Sequence, residues 1–334
     1  MYKKRILSIL TIITLCLILN TSCSNNKSHY ELKDFSIKDT ASITSFRISN
    51  TENKTIEITR KNKDKTWVIG GTSYNASKAS VELLMETFYR IRVKQNVPNS
   101  ALNTVFNRLS VRYKKVEIFT DYDFPIKTWY IGSPTQDHLG TYMLLQQGDI
   151  KSDVPYITYK PGMYGSLDVR FFTGIENWRS TKVFDYSNAN DILSVKVQFK
   201  NDPENSYSIK RENEKVLLKD NFNKLLNNYD TIQVKHYLTH FNKINYNKNM
   251  MFKKEIRDSL LSIAPDYYFE LHDNKGVSKI INLWKIKDEN SETGWDKEYG
   301  VININHSKEL LRVQFFNWDI LFKPLSYFKK NNSN

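Results

Sequence analysis

Three short stretches of this chain hold the side chains best suited to chemistry. Gln136, Asp137 and His138 stand together between Pro134 and Gly140. An imidazole beside a carboxylate can act as a general base or ligate a metal, because histidine titrates near neutrality. The same stretch also reads as a shaped hairpin turn, with Gln136 and Asp137 hydrogen-bonding its backbone. In Pro161–Arg170, Gly162 and Gly165 permit tight turns or close backbone approach, and Tyr164 and Arg170 could meet a ligand. The alternative there is a structural connection with Tyr164 packed against strands. His236 and His240 have the four-residue spacing of a zinc pair on a helix. The run His236-Tyr237-Leu238-Thr239-His240 lacks the protease glutamate, and no third ligand accompanies it, which favours two partly exposed helix histidines. The binding candidates are thus Gln136, Asp137, His138, Tyr164 and Arg170. The sequence shows no catalytic set, no metal-ligand set and no cofactor motif: phosphate loop, dinucleotide fingerprint, nucleophile elbow and zinc quartet are all missing. An acid/base carboxylate pair could still assemble in the fold alone.

The elements that must position these residues are mostly strands. Ile43–Ile48 and Thr55–Thr59 read as a hairpin across Asn50–Asn53, followed by Thr66–Ile69. Ser77 then caps a helix whose Val81, Leu84, Met85, Phe88 and Ile91 form one apolar stripe. A shorter helix is expected over Ser100–Leu109. Strands resume at Lys115–Phe119, Lys127–Ile131, Thr141–Leu145 and Tyr156–Tyr159. About 150 residues on, the order begins again. Ile192–Phe199, Ser206–Lys210 and Lys215–Leu218 echo the first three strands, and Val234, Leu238 and Phe241 mark the helix. Lys243–Tyr246 is matched to Arg90–Val93, and Lys253–Ile263 to the short helix. Tyr267–Leu271, Ser278–Lys285, Gly300–Ile304 and Leu310–Phe316 complete the set. The expected fold class is α+β: two similar antiparallel-sheet units, each with helices covering one sheet face, related by internal duplication. The Phe316–Phe328 tail, broken by Pro324, reads either as a membrane-surface stripe or as the closing piece of a core.

The amino terminus carries a different kind of chemistry. Lys3, Lys4 and Arg5 precede an apolar run from Ile6 to Leu19, the pattern of a secretory signal. That run is short of the ~20 apolar residues a spanning helix needs. Thr21-Ser22-Cys23 follow, and this resembles the lipobox of bacterial lipoproteins, with Asn20 standing where a leucine is usual. Cleavage without lipidation and an uncleaved anchor are the alternatives, and both leave Cys23 unexplained. Of the two cysteines, Cys16 lies in the signal, so the mature chain would keep Cys23 alone. A single exported thiol cannot form an internal disulfide, and acylation would consume it. Resemblance to lipoproteins implies more than one acyl chain, and stable anchoring needs two such signals. Neither an aspartate nor an acidic cluster follows Cys23, which favours the outer membrane, facing the periplasm. The expected organisation is a signal over 1–22, a lipidated tether over 23–34, and α+β units over 35–186 and 187–330.

The chain of 334 residues has a formal charge of +13. Lys3, Lys4 and Arg5 account for three charges, leaving +10. The remaining lysines are scattered among Asp, Glu and Asn, as on a solvated basic surface. An exported chain of this pattern is not expected to bind nucleic acid.

One block carries a further resemblance. Ile131-Gly-Ser-Pro-Thr-Gln-Asp-His-Leu-Gly-Thr-Tyr-Met-Leu-Leu145 resembles a stretch found in Bacteroidota lipoproteins that carry a domain of unknown function. Pro161–Leu167, Arg170-Phe171-Phe172, Trp178-Arg179 and Lys65–Ile69 fit the same pattern, and the resemblance spans roughly Phe35 to Phe328. Some relatives lie beside transport components of the gliding-motility type, which implies an accessory role to an envelope transporter of the ABC class. The residues themselves point to a membrane-tethered, non-enzymatic component that binds another envelope protein. An envelope hydrolase built around His138 is the third expectation.

Overall fold

In the first unit, alternating apolar and polar side chains write the hairpin Ser45–Asn50 (β1) and Thr55–Arg60 (β2). Phe46, Ile48, Ile56 and Ile58 face inward, while Arg47 and Glu57 pair on the other face at 3.1 Å. Asn50 Oδ1 accepts the N–H groups of Glu52 and Lys54. Asn53 closes the turn at φ 60°, a region that asparagine enters more readily than most residues. These coordinates are a computed structural model, which describes residues 31–61 and 66–330. The expected signal peptide and Cys23 lie outside the described residues.

After Trp67–Ile69 (β3), the Ser77 hydroxyl accepts the N–H of Ser80 at 3.3 Å and caps Lys78–Arg90 (α1). Its Val81, Leu84 and Phe88 are buried. The Phe88 ring meets Phe46 at 5.9 Å and Trp129 at 5.2 Å, edge to face. Burying each such side chain contributes about 1.5–3 kcal/mol. Arg92–Asn96 (β4), Asn99–Val111 (α2), Lys114–Phe119 (β5), Lys127–Pro134 (β6), Thr141–Gln147 (β7), Ile150–Lys151 (β8) and Tyr156–Tyr159 (β9) complete the unit. One antiparallel sheet runs β3-β2-β1-β5-β6-β7-β9-β4, with β8 added beside β7.

The second unit comprises Lys182–Phe184 (β10), Ile192–Phe199 (β11), Tyr207–Glu212 (β12), Lys215–Asp220 (β13), Thr231–Thr239 (α3), Ile244–Asn245 (β14), Lys248–Asn249 (β15) and Lys254–Ser262 (α4). Tyr267–Asp273 (β16), Ser278–Lys287 (β17), Trp295–Ile304 (β18), Leu311–Gln314 (β19) and the short helix Phe315–Trp318 (α5) follow. Its main sheet runs β13-β12-β11-β16-β17-β18-β19-β15. This is the first unit's path repeated strand for strand, so the fold is α+β with two similar antiparallel units.

Three details differ from the sequence expectation. The helices cover both sheet faces, because β6, β7 and β9 are apolar on both sides. Trp129 and Tyr156 meet the Phe35 ring on the α1 face, whereas Leu144 and Ile157 pack under Val105 and Leu109 of α2. Strands buried on two faces lose the clean alternation that would betray a second helix. Lys243–Tyr246 is not the counterpart of β4. Its Ile244–Asn245 pairs with β10, and the counterpart is β15 a few residues on, at the same sheet edge. The chain divides between Asn177 and Trp178, where the expected division fell after 186. The β10–β14 pairing draws the intervening residues into the second unit.

The described residues of the expected tether already touch the body: Leu32 N–H donates to Ser152 Oγ at 3.3 Å, and the Tyr156 hydroxyl to the Glu31 carboxylate at 3.4 Å. Phe35 is buried, and the Lys127 ammonium, itself buried, donates to the carbonyls of Asp34 and Ser36 and to the Asp34 carboxylate. Burial works to raise the Asp34 pKa, but hydrogen bonds from Ser36 and Lys127 and the Lys127 charge outweigh it and hold it low. Lys127→Met removes those donors. It is expected to speed amide exchange at 35–37 without melting the sheet, as hydrogen-exchange mass spectrometry would read.

Candidate functional site

The Pro134–Gly140 loop joins β6 to β7 as a tight turn. Thr135 N–H donates to the Gly140 carbonyl at 2.9 Å, and His138 N–H to that of Thr135 at 3.0 Å. The Asp137 carboxylate accepts the Thr135 hydroxyl at 2.5 Å and the Leu139 N–H at 3.0 Å. Those two bonds hold its pKa below the ordinary value of 3.8. His138 sits at φ 55°, and Gln136 through Leu139 are exposed. Lys94 Nζ lies 3.7 Å from Asp137. Asp137→Ala is expected to speed exchange of the Leu139 amide. In the parent chain the same loss is expected as pH falls through the depressed Asp137 pKa, since the carboxylate is the acceptor only above it.

Pro161–Arg170 leaves β9 and folds back on the sheet. Gly162 and Gly165 adopt φ 78° and 100°. Thr141 ties the segment down: its hydroxyl accepts the Leu167 N–H at 2.8 Å and lies 2.9 Å from Ser166 Oγ. Arg170 turns to α1, where Nη1 donates to Thr87 Oγ1 at 3.0 Å and lies 3.5 Å from the Leu83 carbonyl. Arg90 Nη2 donates to the Pro161 carbonyl at 3.1 Å. Tyr164 is 93% exposed. The two candidate segments therefore meet at Thr141 through structural hydrogen bonds, and none of Gln136, Asp137, His138, Tyr164 or Arg170 lines the grooves described below.

The His236 and His240 rings stand edge to face, 4.7 Å apart. Burial, with His236 and Lys323 nearby, lowers the His240 pKa. Among the described residues no group of three or more His, Cys, Asp or Glu is placed to hold a metal ion. No described helix is long and apolar enough to cross a membrane. In the tail, Trp318, Leu321 and Phe328 are buried in the second unit's core, with Trp318 Nε1–H on the Asn245 carbonyl at 3.0 Å. Phe316 alone of its large side chains is strongly exposed, at 85%.

The repeat exposes a feature the motif search missed. Each unit carries a groove where its second helix crosses the outer sheet face. In the first unit it is about 350 Å³, lined by Phe106, Leu109, Tyr130 and Leu144 together with Ser110, Lys151 and Asp153. The Lys151 ammonium lies 4.0 Å from the Tyr130 ring. In the second unit the cross-strand pair Trp284–Val301 lines the groove, as Tyr130–Leu144 does in the first, and its volume is about 540 Å³. Trp284, Ile286 and Val301 form its floor, Phe252, Ile256, Leu260 and Ile263 its helix wall, and Trp295 its outer end. α2 buries Val105 and Leu109, whereas α4 buries no side chain completely. Ile256 is 54% exposed and Ile263 50%.

Hydrogen bonds fix the chain on either side of α4. Met250 N–H donates to the Leu310 carbonyl at 2.8 Å where the chain enters α4. At the exit, Trp284 Nε1–H donates to the Ile263 carbonyl at 3.1 Å, and the Asp266 carboxylate accepts the Lys285 N–H at 2.7 Å. A sequence signal existed in Phe252, Ile256, Leu260 and Ile263 at helical spacing. Trp295 could not be joined to it without knowing that it faces Lys287 across an irregular stretch of the β17–β18 ladder. An apolar groove with a few polar groups at its edge is the ordinary form of a ligand site. Comparison of the chain with protein-family models, with curated proteins and with solved structures gives no match.

Proposed function

We propose that the chain is a non-enzymatic lipoprotein of the cell envelope. Anchored through Cys23, on the periplasmic face of the outer membrane, it binds another envelope component in the groove between α4 and the β17–β18 hairpin. The observation that carries the binding half of this reading is the difference between the two repeats. The same framework carries a smaller groove in the first unit, with Lys151 over Tyr130, and a larger apolar groove with exposed walls in the second. A patch of that kind disfavours solubility unless something occupies it. The anchoring half rests on the sequence around Cys23.

The loop around His138 supports this reading in a second way. Its carboxylate neighbour spends its hydrogen bonds on the loop's own backbone and on Thr135. Cys23→Ser is expected to move the protein from the membrane pellet to the soluble periplasmic fraction and to remove a lipid-sized mass from the mature amino terminus. A variant that stays with the membrane at unchanged mass would end the anchoring half and leave the groove untouched.

A further inference from the structure

One end of the first unit's sheet carries an exposed aromatic tip. The loop over 120–126 joins β5 to β6. In it Tyr122 and Phe124 stack on one another, with ring centroids 5.4 Å apart and planes 20° from parallel. The two side chains stay 62% and 59% exposed, so the pair turns apolar surface outward. Rings with an apolar body, one of them ending in a phenol, suit the boundary between lipid and water. Exposed Asp121 and Asp123 alternate with them. Those charges repel anionic headgroups and nucleic acid, and leave the neutral surface of zwitterionic lipid as the complement.

The same sheet end receives the amino-terminal segment. Lys127, the first residue of β6, follows the loop directly, and its ammonium holds the carbonyls of Asp34 and Ser36. Glu31 is bound to Tyr156 at the start of β9. The order β5-β6-β7-β9 sets that point two to three strands from the loop, roughly 10–15 Å at ~4.8 Å per strand. Cys23 precedes Glu31 by eight residues, a reach of at most about 29 Å. The loop with His138 lies at the other end of the same strands, roughly 23 Å away along β6.

The repeat supplies an internal comparison. In the second unit the connection between β16 and β17 is the short turn Asn274-Lys275-Gly276-Val277. The Asp273 carboxylate closes it by accepting the N–H groups of Lys275 and Val277. It holds no aromatic residue. The unit that follows the tether has the aromatic tip, and its sequel does not. We propose that Tyr122 and Phe124 enter the interfacial layer of the bilayer that holds Cys23. This second contact orients the first unit with its β6–β7 loop away from the lipid. It rests on the anchoring half of the reading above.

The mature chain has no thiol besides Cys23, so one introduced cysteine takes a label uniquely once Cys23 is acylated. Lipidated full chain in phosphatidylcholine vesicles would carry a nitrobenzoxadiazole label at Asp123→Cys or at His138→Cys. A doxyl-labelled lipid is expected to quench the label at 123 at least threefold more strongly than the one at 138. Added anionic lipid is expected to bring no increase. Tyr122→Ser with Phe124→Ser, both at exposed positions, is expected to lower quenching at 123 to the level at 138, with thermal unfolding unchanged. Equal quenching at the two sites, or quenching at 123 that survives loss of both rings, would overturn the proposal. If such a chain still floats with the vesicles, the anchoring reading stands. Shielding at 123 that appears only at high protein density would put a second copy there in place of lipid. A mature chain without lipid mass on Cys23 would overturn both readings.

Discussion

Glu309→Ala is expected to cost the second unit about 3–5 kcal/mol, because it strands a charge that the fold has removed from water. The Arg179 side chain is 10% exposed and that of Glu309 22%. Their two parallel bonds, at 2.5 and 2.6 Å, are the short bidentate kind. Glu309 also accepts from Asn249 Nδ2 at 2.8 Å, and Arg179 lies over the Tyr246 ring. Asn249 belongs to β15, which leads into α4, so the ion pair holds one end of the groove's helix wall. The loss should appear in denaturant unfolding and as faster amide exchange over 248–262. The double replacement Arg179→Met with Glu309→Leu should recover much of the stability, since a paired apolar substitute leaves no orphan charge. A Glu309→Ala cost below 1 kcal/mol would contradict the arrangement.

Trp129→Ala is expected to cost the first unit about 3–5 kcal/mol, the usual range for deleting a buried large aromatic. Trp129 is fully buried and meets Phe35, Phe88 and Phe171 edge to face. It therefore joins the start of the body, the α1 stripe and the segment after Pro161–Arg170 at one point. Exchange should accelerate across α1 and β5–β7 together, while second-unit amides keep their protection. A loss confined to β6 would mean that the three contacts are independent.

The periodic elements were legible in the sequence. The α1 stripe, the Ser77 cap and the first hairpin each arise from neighbours along the chain, and so did the repeated element order. The face each helix covers was not legible. Tyr130 and Leu144 look like ordinary strand residues until β6 and β7 are set side by side, when they become the floor under α2. Lys243–Tyr246 had the right composition for a sheet edge, yet β10 captured it, a partner some 60 residues away. The candidate loops were found because glycine and proline punctuate them. Their structural hydrogen bonds, such as Thr141 to Leu167, join residues far apart in sequence. The groove escaped for the same reason: α4, Trp284 and Trp295 become one surface through the register of β17 and β18.

The most direct measurement is photocrosslinking in intact cells from a p-benzoylphenylalanine placed at Ile256 or at His138, with each product weighed by intact-protein mass spectrometry. A protein that works through the groove of its second unit gives an adduct from position 256 and none from 138. An adduct from 138 with none from 256 would contradict that account and return attention to the loop between β6 and β7.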